Sequence, residues 1–321
     1  MKEEAGIQLE SDTKKPENRE LPPLSIEIYY SAHGNAKDIG ELQEKFLEAD
    51  IYVPEWIGTS LKVLETYQAV SDGRKTPAEA VIELHLDDSK MYGYHLKRFE
   101  IIYGSHKPVV FVDVPLDHDL IKEYREILFK PKLQNFEEDL EYTKDFLLKE
   151  AVFEKKREEY MILQLEPKMR EVVEKYPELQ NKKQLKLLLS LGAFHTGLFH
   201  ELDKKAYDVK REFGDTPIVF DSRSEALRRH MFDKKVGDEL VLRAMFETLV
   251  GKYFSKDFKK KSDDSLEQLK MLREVGALFS FDEMKNLYSN PENKGGFESA
   301  LYDAVNQKLK VEWKKQKNDS R

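Results

Sequence analysis

Two histidines and a glutamate stand just past apolar runs, and their residue types suit the handling of water. Ser25-Ile26-Glu27-Ile28-Tyr29-Tyr30 leads through Ser31-Ala32 to His33. Leu185-Lys186-Leu187-Leu188-Leu189-Ser190-Leu191 leads through Gly192-Ala193-Phe194 to His195. Between them Ile51-Tyr52-Val53-Pro54 ends in Glu55. Two neutral imidazoles and a carboxylate can ligate a zinc-type ion that keeps one position open for water, with Glu55 as third ligand or general base. The competing reading is local: each histidine satisfies backbone groups at a strand end, and Glu55 is a helix cap or a surface carboxylate beside Trp56.

Bringing the three together requires a particular scaffold. In an open α/β sheet the carboxyl ends of the strands line the crevice where ligands bind. Strands are expected at 25–30, 50–54, 108–114, 185–191 and 217–220. The apolar run Pro108 to Val114 suits a strand buried on both faces. A helix at 36–48 places Ile39, Leu42, Phe46 and Leu47 on one face, and another spans 60–71. Thr76-Pro77-Ala78-Glu79 carries a Thr cap, Pro at the first helical position and Glu at the third, which predicts a helix start. A long helical region at 118–175 is expected to break near Pro131 and Pro167, and a helix capped by Thr196 follows His195. Strands separated by long helices predict a mostly parallel central sheet flanked by helices. The chain divides into a polar N-terminal tail over 1–24, an α/β domain over 25–221 and a helical extension over 222–321.

Composition narrows the function classes. Charged residues make up 36% of the 321 and the net charge is -8, which argues against a nucleic-acid coat. With no cysteine, disulfides, thiolate metal sites and cysteine nucleophiles are excluded. No apolar run is long enough to span a bilayer. Residues 1–23 lack the apolar stretch of a secretion signal, so a cytoplasmic setting is expected. No Walker loop, dinucleotide fingerprint or Gly-x-Ser-x-Gly elbow is present.

Further motifs share the order of a known family. Gly192-Ala193-Phe194-His195 is a GxxH element, and the segment around His33 looks like a first copy with Tyr30 in place of Gly. Lys156-Arg157-Glu158-Glu159-Tyr160-Met161 precedes the second copy, and Val112-Asp113 ends a strand. The order over residues 25–221 resembles the TraB/PrgY/Tiki group of the wider erythromycin-esterase and ChaN-like superfamily. Val114 stands where that group often has Arg. The resemblance implies a hydrolase of a peptide or ester bond, with His33, Glu55 and His195 activating water. In the Tiki branch a divalent transition metal takes part; in the esterase branch a histidine acts without one. It also implies an alternative, a protein that sequesters a small peptide or ligand without turnover.

Arg157 suits bidentate pairing, either with a substrate carboxylate or with Glu55. Its bland reading is an exposed partner on a charged helix. Asp113 is a pocket residue or a helix cap. Tyr30 is core or pocket wall, and Gly192 is expected to allow close packing or an unusual φ before His195. His106, His118 and His200 read as loop, helix-start and helix-face residues. The expected partner is a small peptide or ester, with neither nucleic acid nor a membrane span involved.

Overall fold

A computed structural model describes residues 20–31, 38–87, 92–127, 135–214, 220–261, 265–289 and 296–319. His33, the expected helix break at Pro131 and the expected strand residues 217–219 lie outside the described residues, as do residues 1–19 of the 1–24 tail. The chain alternates β1 (Leu24–Ser31), α1 (Ile39–Glu48) and β2 (Ile51–Pro54). Four helices follow, α2 (Leu61–Ser71), α3 (Pro77–Glu83), α4 (Tyr92–Ile102) and α5 (Asp119–Glu126). The long α6 (Phe136–Lys175) leads to β3 (Leu185–Gly192), α7 (Thr196–Lys204) and β4 (Asp208–Phe213). Helices α8 (Ser222–Met231), α9 (Asp238–Lys261), α10 (Ser265–Ala277), α11 (Phe281–Ser289) and α12 (Gly296–Asp319) complete it.

The sheet is all parallel, in the order β2-β3-β1-β4. Successive strand residues point to opposite faces, and both faces are covered. Ile26, Ile28 and Tyr30 of β1, Val53 of β2 and Leu187, Leu189 and Leu191 of β3 pack against Met161 and Leu165 of α6 and Leu198 of α7. Tyr29, Tyr52 and Leu188 meet Leu42 and Phe46 of α1 on the other face. The step from β1 to β2 and the step from β3 to β4 run in opposite directions along the sheet. Right-handed crossovers then put their helices on opposite faces. The carboxyl ends of β1 and β3 lie side by side, Ser31 paired with Gly192.

Several expectations are corrected. Pro108 to Val114 is not a laddered strand; it runs beside β2 through one parallel bridge, Tyr52 to Val109. The fourth strand is Asp208–Phe213, a mostly exposed edge strand whose Asp-Val-Lys-Arg-Glu-Phe sequence hides it from hydrophobic patterning. Helix α6 runs through Pro167 without a break. Proline removes the bond to the carbonyl four residues back, here that of Leu163, a residue 65% exposed, so water can satisfy the freed group. Leu47, expected on the buried face of α1, is exposed, whereas Ile39, Leu42 and Phe46 are buried. The capping box at Thr76 forms with both of its reciprocal bonds.

Candidate functional site

Four elements deliver charged side chains to the carboxyl ends of β2 and β3. Glu55 follows β2, and its N–H still donates to Ser190 O at 3.0 Å, continuing the sheet by one residue. Asp113 sits at the end of the segment beside β2. His195 closes the turn after β3, and α6 crosses the sheet with Arg157 in its middle. Arg157 is the hub. Its Nε and Nη2 hold Asp113 in a fork, at 2.9 and 2.6 Å. Nη2 also donates to Glu55 Oε1 at 2.8 Å, and Nη1 lies 3.3 Å from Glu154 Oε2. His195 Nε2 lies 3.0 Å from the same Glu55 Oε1, and its Nδ1 lies 3.3 Å from Glu158 Oε1. Glu55 Oε2 accepts from the Gly192 N–H at 2.6 Å, and Tyr30 donates its hydroxyl to His195 O at 2.9 Å.

The electrostatics follow from burial. Isolated buried charges cost several kcal/mol each, so they persist only when paired. Two cationic groups here face four carboxylates. Burial alone lowers the affinity of His195 for its proton, but the charge of Glu55 and the bonds to Glu158 and Glu55 outweigh it against opposition from Arg157, and the imidazole is pushed up to about 10. His195 is therefore an imidazolium near neutrality, with Nε2–H donating to Glu55 and Nδ1–H to Glu158. The Arg157 guanidinium contact at 3.2 Å from Nε2 is then an approach of two cations bridged by Glu55 Oε1. Burial raises the Glu154 carboxyl above its ordinary range despite Arg157 and His195. The Arg157 guanidinium is held charged: burial disfavours it, and Asp113, Glu55 and Glu154 prevail.

The structure brings Glu55, Asp113, Arg157, His195 and Tyr30 into one network and seats Gly192 against Glu55. Gly192 is not among the positive-φ residues; its contribution is the backbone N–H. Arg157 is buried, 5% exposed, contrary to the reading of a surface ion-pair partner. Thr196 is not the cap of α7. His195 holds that position, its side chain committed to Glu55 and Glu158, and no side chain caps the helix. His106 is exposed with a positive φ, His118 caps α5 by accepting from Leu120 N–H, and His200 is exposed. Glu154 and Glu158 were not singled out from the sequence as site residues. Their spacing with Arg157, Met161 and Leu165 is the available signal, because it puts Arg157 and Glu158 on the buried stripe of α6 and the half-buried Glu154 at its edge.

Of the three expected metal ligands, Glu55 and His195 are described and lie 3.0 Å apart, while His33 lies outside the described residues. Among the described residues no group of three His, Asp or Glu side chains is arranged to hold one. In the metal-free arrangement both nitrogens of His195 face carboxylates. The cation beside Glu55 and Asp113 is the guanidinium of Arg157.

No family model, no curated protein and no solved structure matches the chain. Among the described residues no helix is long and apolar enough to cross a membrane.

Proposed function

We propose that the cluster is the centre of a hydrolase that cleaves a peptide or ester bond, as the resemblance to the TraB/PrgY/Tiki group implies. The observation that carries this reading is Glu55, whose carboxylate bridges Arg157 and His195 at the carboxyl ends of parallel strands. Its side chain keeps 12% of its surface exposed, while those of Asp113 and His195 keep 0% and 3%; Glu154 keeps 13%, but burial raises its carboxyl toward the neutral form. Glu55 is thus the base that meets water. It takes one proton from the attacking water, whose oxygen bonds to the carbonyl carbon. As the scissile bond breaks, the proton passes to the leaving oxygen or nitrogen. Arg157 and His195, both charged, stabilise the negative charge that develops on the way. The resemblance gives His33 a share in holding the water. No step is routed through a metal, and a cytoplasmic setting belongs to the same proposal.

A second reading has its own observation. The polar side-chain atoms of Arg157 and His195 already have protein partners, so the same network could shape a pocket that binds a peptide and never turns it over. Wild type is assayed on ester and peptide panels, with and without a chelator. The expected result is turnover that survives chelation and falls by about 10²-fold or more in Glu55→Gln, the usual scale for acid–base catalysis. Loss of turnover on chelation restores the metal-dependent branch. Saturable binding without turnover, unchanged by Glu55→Gln, favours the sequestering protein.

A further inference from the structure

On the Glu55 side the charged groups are partnered; on the far side one oxygen is not. Glu158 is buried, 6% exposed, and its Oε1 faces His195 Nδ1. Its Oε2 turns toward α7, where a Cβ at Gly197 would stand only 2.4 Å from it, so this position accommodates the carboxylate by lacking a side chain. Among the described residues nothing donates a hydrogen bond to Oε2. Glu158 and Gly197 line a cleft of about 730 Å³ between α6, α7 and the end of α8, a size within the range of small-molecule sites.

The rest of the cleft defines what fits. Leu163 and Phe232, 65% and 36% exposed, form an apolar wall with Met231. Lys155 is held by Asp233 at 2.7 Å and Lys204 by Glu201 at 2.6 Å, so neither of these lysines is paired with Glu158. Three lysines and four carboxylates line the cleft, and one of those carboxylates, Glu158, faces the His195 imidazolium through its other oxygen. Glu158 Oε2 is not among the buried atoms left without a partner, so it is open to the cleft, and a charge-assisted bond is the strongest way for a ligand to engage it.

We propose that this cleft is a second binding site, for a ligand carrying an ammonium group on a short apolar chain. The ammonium bonds Glu158 Oε2, and the chain lies on Leu163, Met231 and Phe232. A compact ammonium brings three donors, where a neutral hydroxyl brings one. Because Oε1 of the same carboxylate holds His195, occupation of the cleft is felt at the imidazole, and the coupling is reciprocal. The site stands whether or not the Glu55 side turns over a substrate.

The test titrates phenethylammonium chloride and its neutral counterpart 2-phenylethanol into the full chain, following binding by calorimetry and the His195 ring by ¹⁵N NMR. The amine is expected to saturate one site, to bind at least about tenfold more tightly than the alcohol and to shift the His195 ring signals, since a charged hydrogen bond is typically worth that factor or more. Glu158→Gln should abolish the preference for the amine. Phe232 lies at the surface, so Phe232→Ala should fold, bind the amine several-fold more weakly and leave the His195 signals of the free protein unchanged. If Glu158→Gln does not fold, the comparison of amine with alcohol and the Phe232→Ala result decide. Absence of saturation, equal binding of the two probes, or amine binding indifferent to Phe232→Ala would overturn the proposal.

Discussion

At the residue scale the decisive group is His195, because its charge ties stability to pH. Its folded value, about 10, lies above the ordinary 6.5. A raised value means that the folded state holds the proton more tightly, so the stabilisation is fully present below pH 6.5 and is lost as pH rises toward 10. The melting temperature of wild type should therefore fall between those limits. His195→Gln, which cannot titrate there, should show a flatter profile over the same window, and matching slopes would mean that His195 is not held as an imidazolium. Three of the residues that assemble here, Glu55, Arg157 and His195, were legible in the sequence because each follows an apolar run or belongs to the short motif on α6. Glu158 and Glu154 were not singled out, because charged residues on a helix otherwise rich in charge look like solvated surface until the face is known. The protonation of His195 was equally hidden, since it depends on two carboxylates brought in from β2 and α6.

At the element scale the sequence is most legible where hydrophobic alternation is strong and least where tertiary context overrides a local rule. Strands β1, β2 and β3 follow from their apolar runs, and the start of α3 follows from its capping box. Strand β4 escapes because an exposed edge strand can be built of charged residues, its pairing with β1 supplied by the backbone. Pro167 misleads for the opposite reason: a helix breaker is tolerated where the carbonyl it leaves unbonded belongs to an exposed turn. Pro167→Ala restores an N–H donor to α6, and the position is exposed, so nothing has to repack. The variant should gain about 1–3 kcal/mol, the cost of an interior proline reduced by the greater freedom of its unfolded chain. A rise in the urea midpoint at constant slope is the expected readout; a fall would show that the proline itself stabilises α6.

At the scale of the whole molecule, α6 is the shared beam. Its second half, from Met161 to Val173, belongs to the core on the sheet, and its first half, Phe136 to Ala151, belongs to a separate core built with α8, α9, α10, α11 and α12. Arg157, the hub of the charge cluster, sits between the two. The helical core therefore anchors the helix that positions the candidate site, although none of the cluster's residues comes from 222–321. Leu242 of α9 is fully buried in that core, and Leu242→Ala should cost about 2–5 kcal/mol through lost contacts and the cavity left behind. The two tryptophans, Trp56 beside the sheet and Trp313 in α12, stand in different halves of the chain. If α6 couples the cores, fluorescence from single-tryptophan variants should give coincident urea transitions, and Leu242→Ala should move both by the same amount. A Trp56 transition that stays in place while the Trp313 transition shifts would show that the cores unfold separately. The helical part would then contribute nothing to holding Arg157 against Glu55 and Asp113, and truncation at residue 221 would spare the cluster. The coupled picture predicts the reverse: truncation uncovers Phe136, Leu140, Phe146 and Leu147, frays the first half of α6, and loosens the arginine on which Glu55 depends.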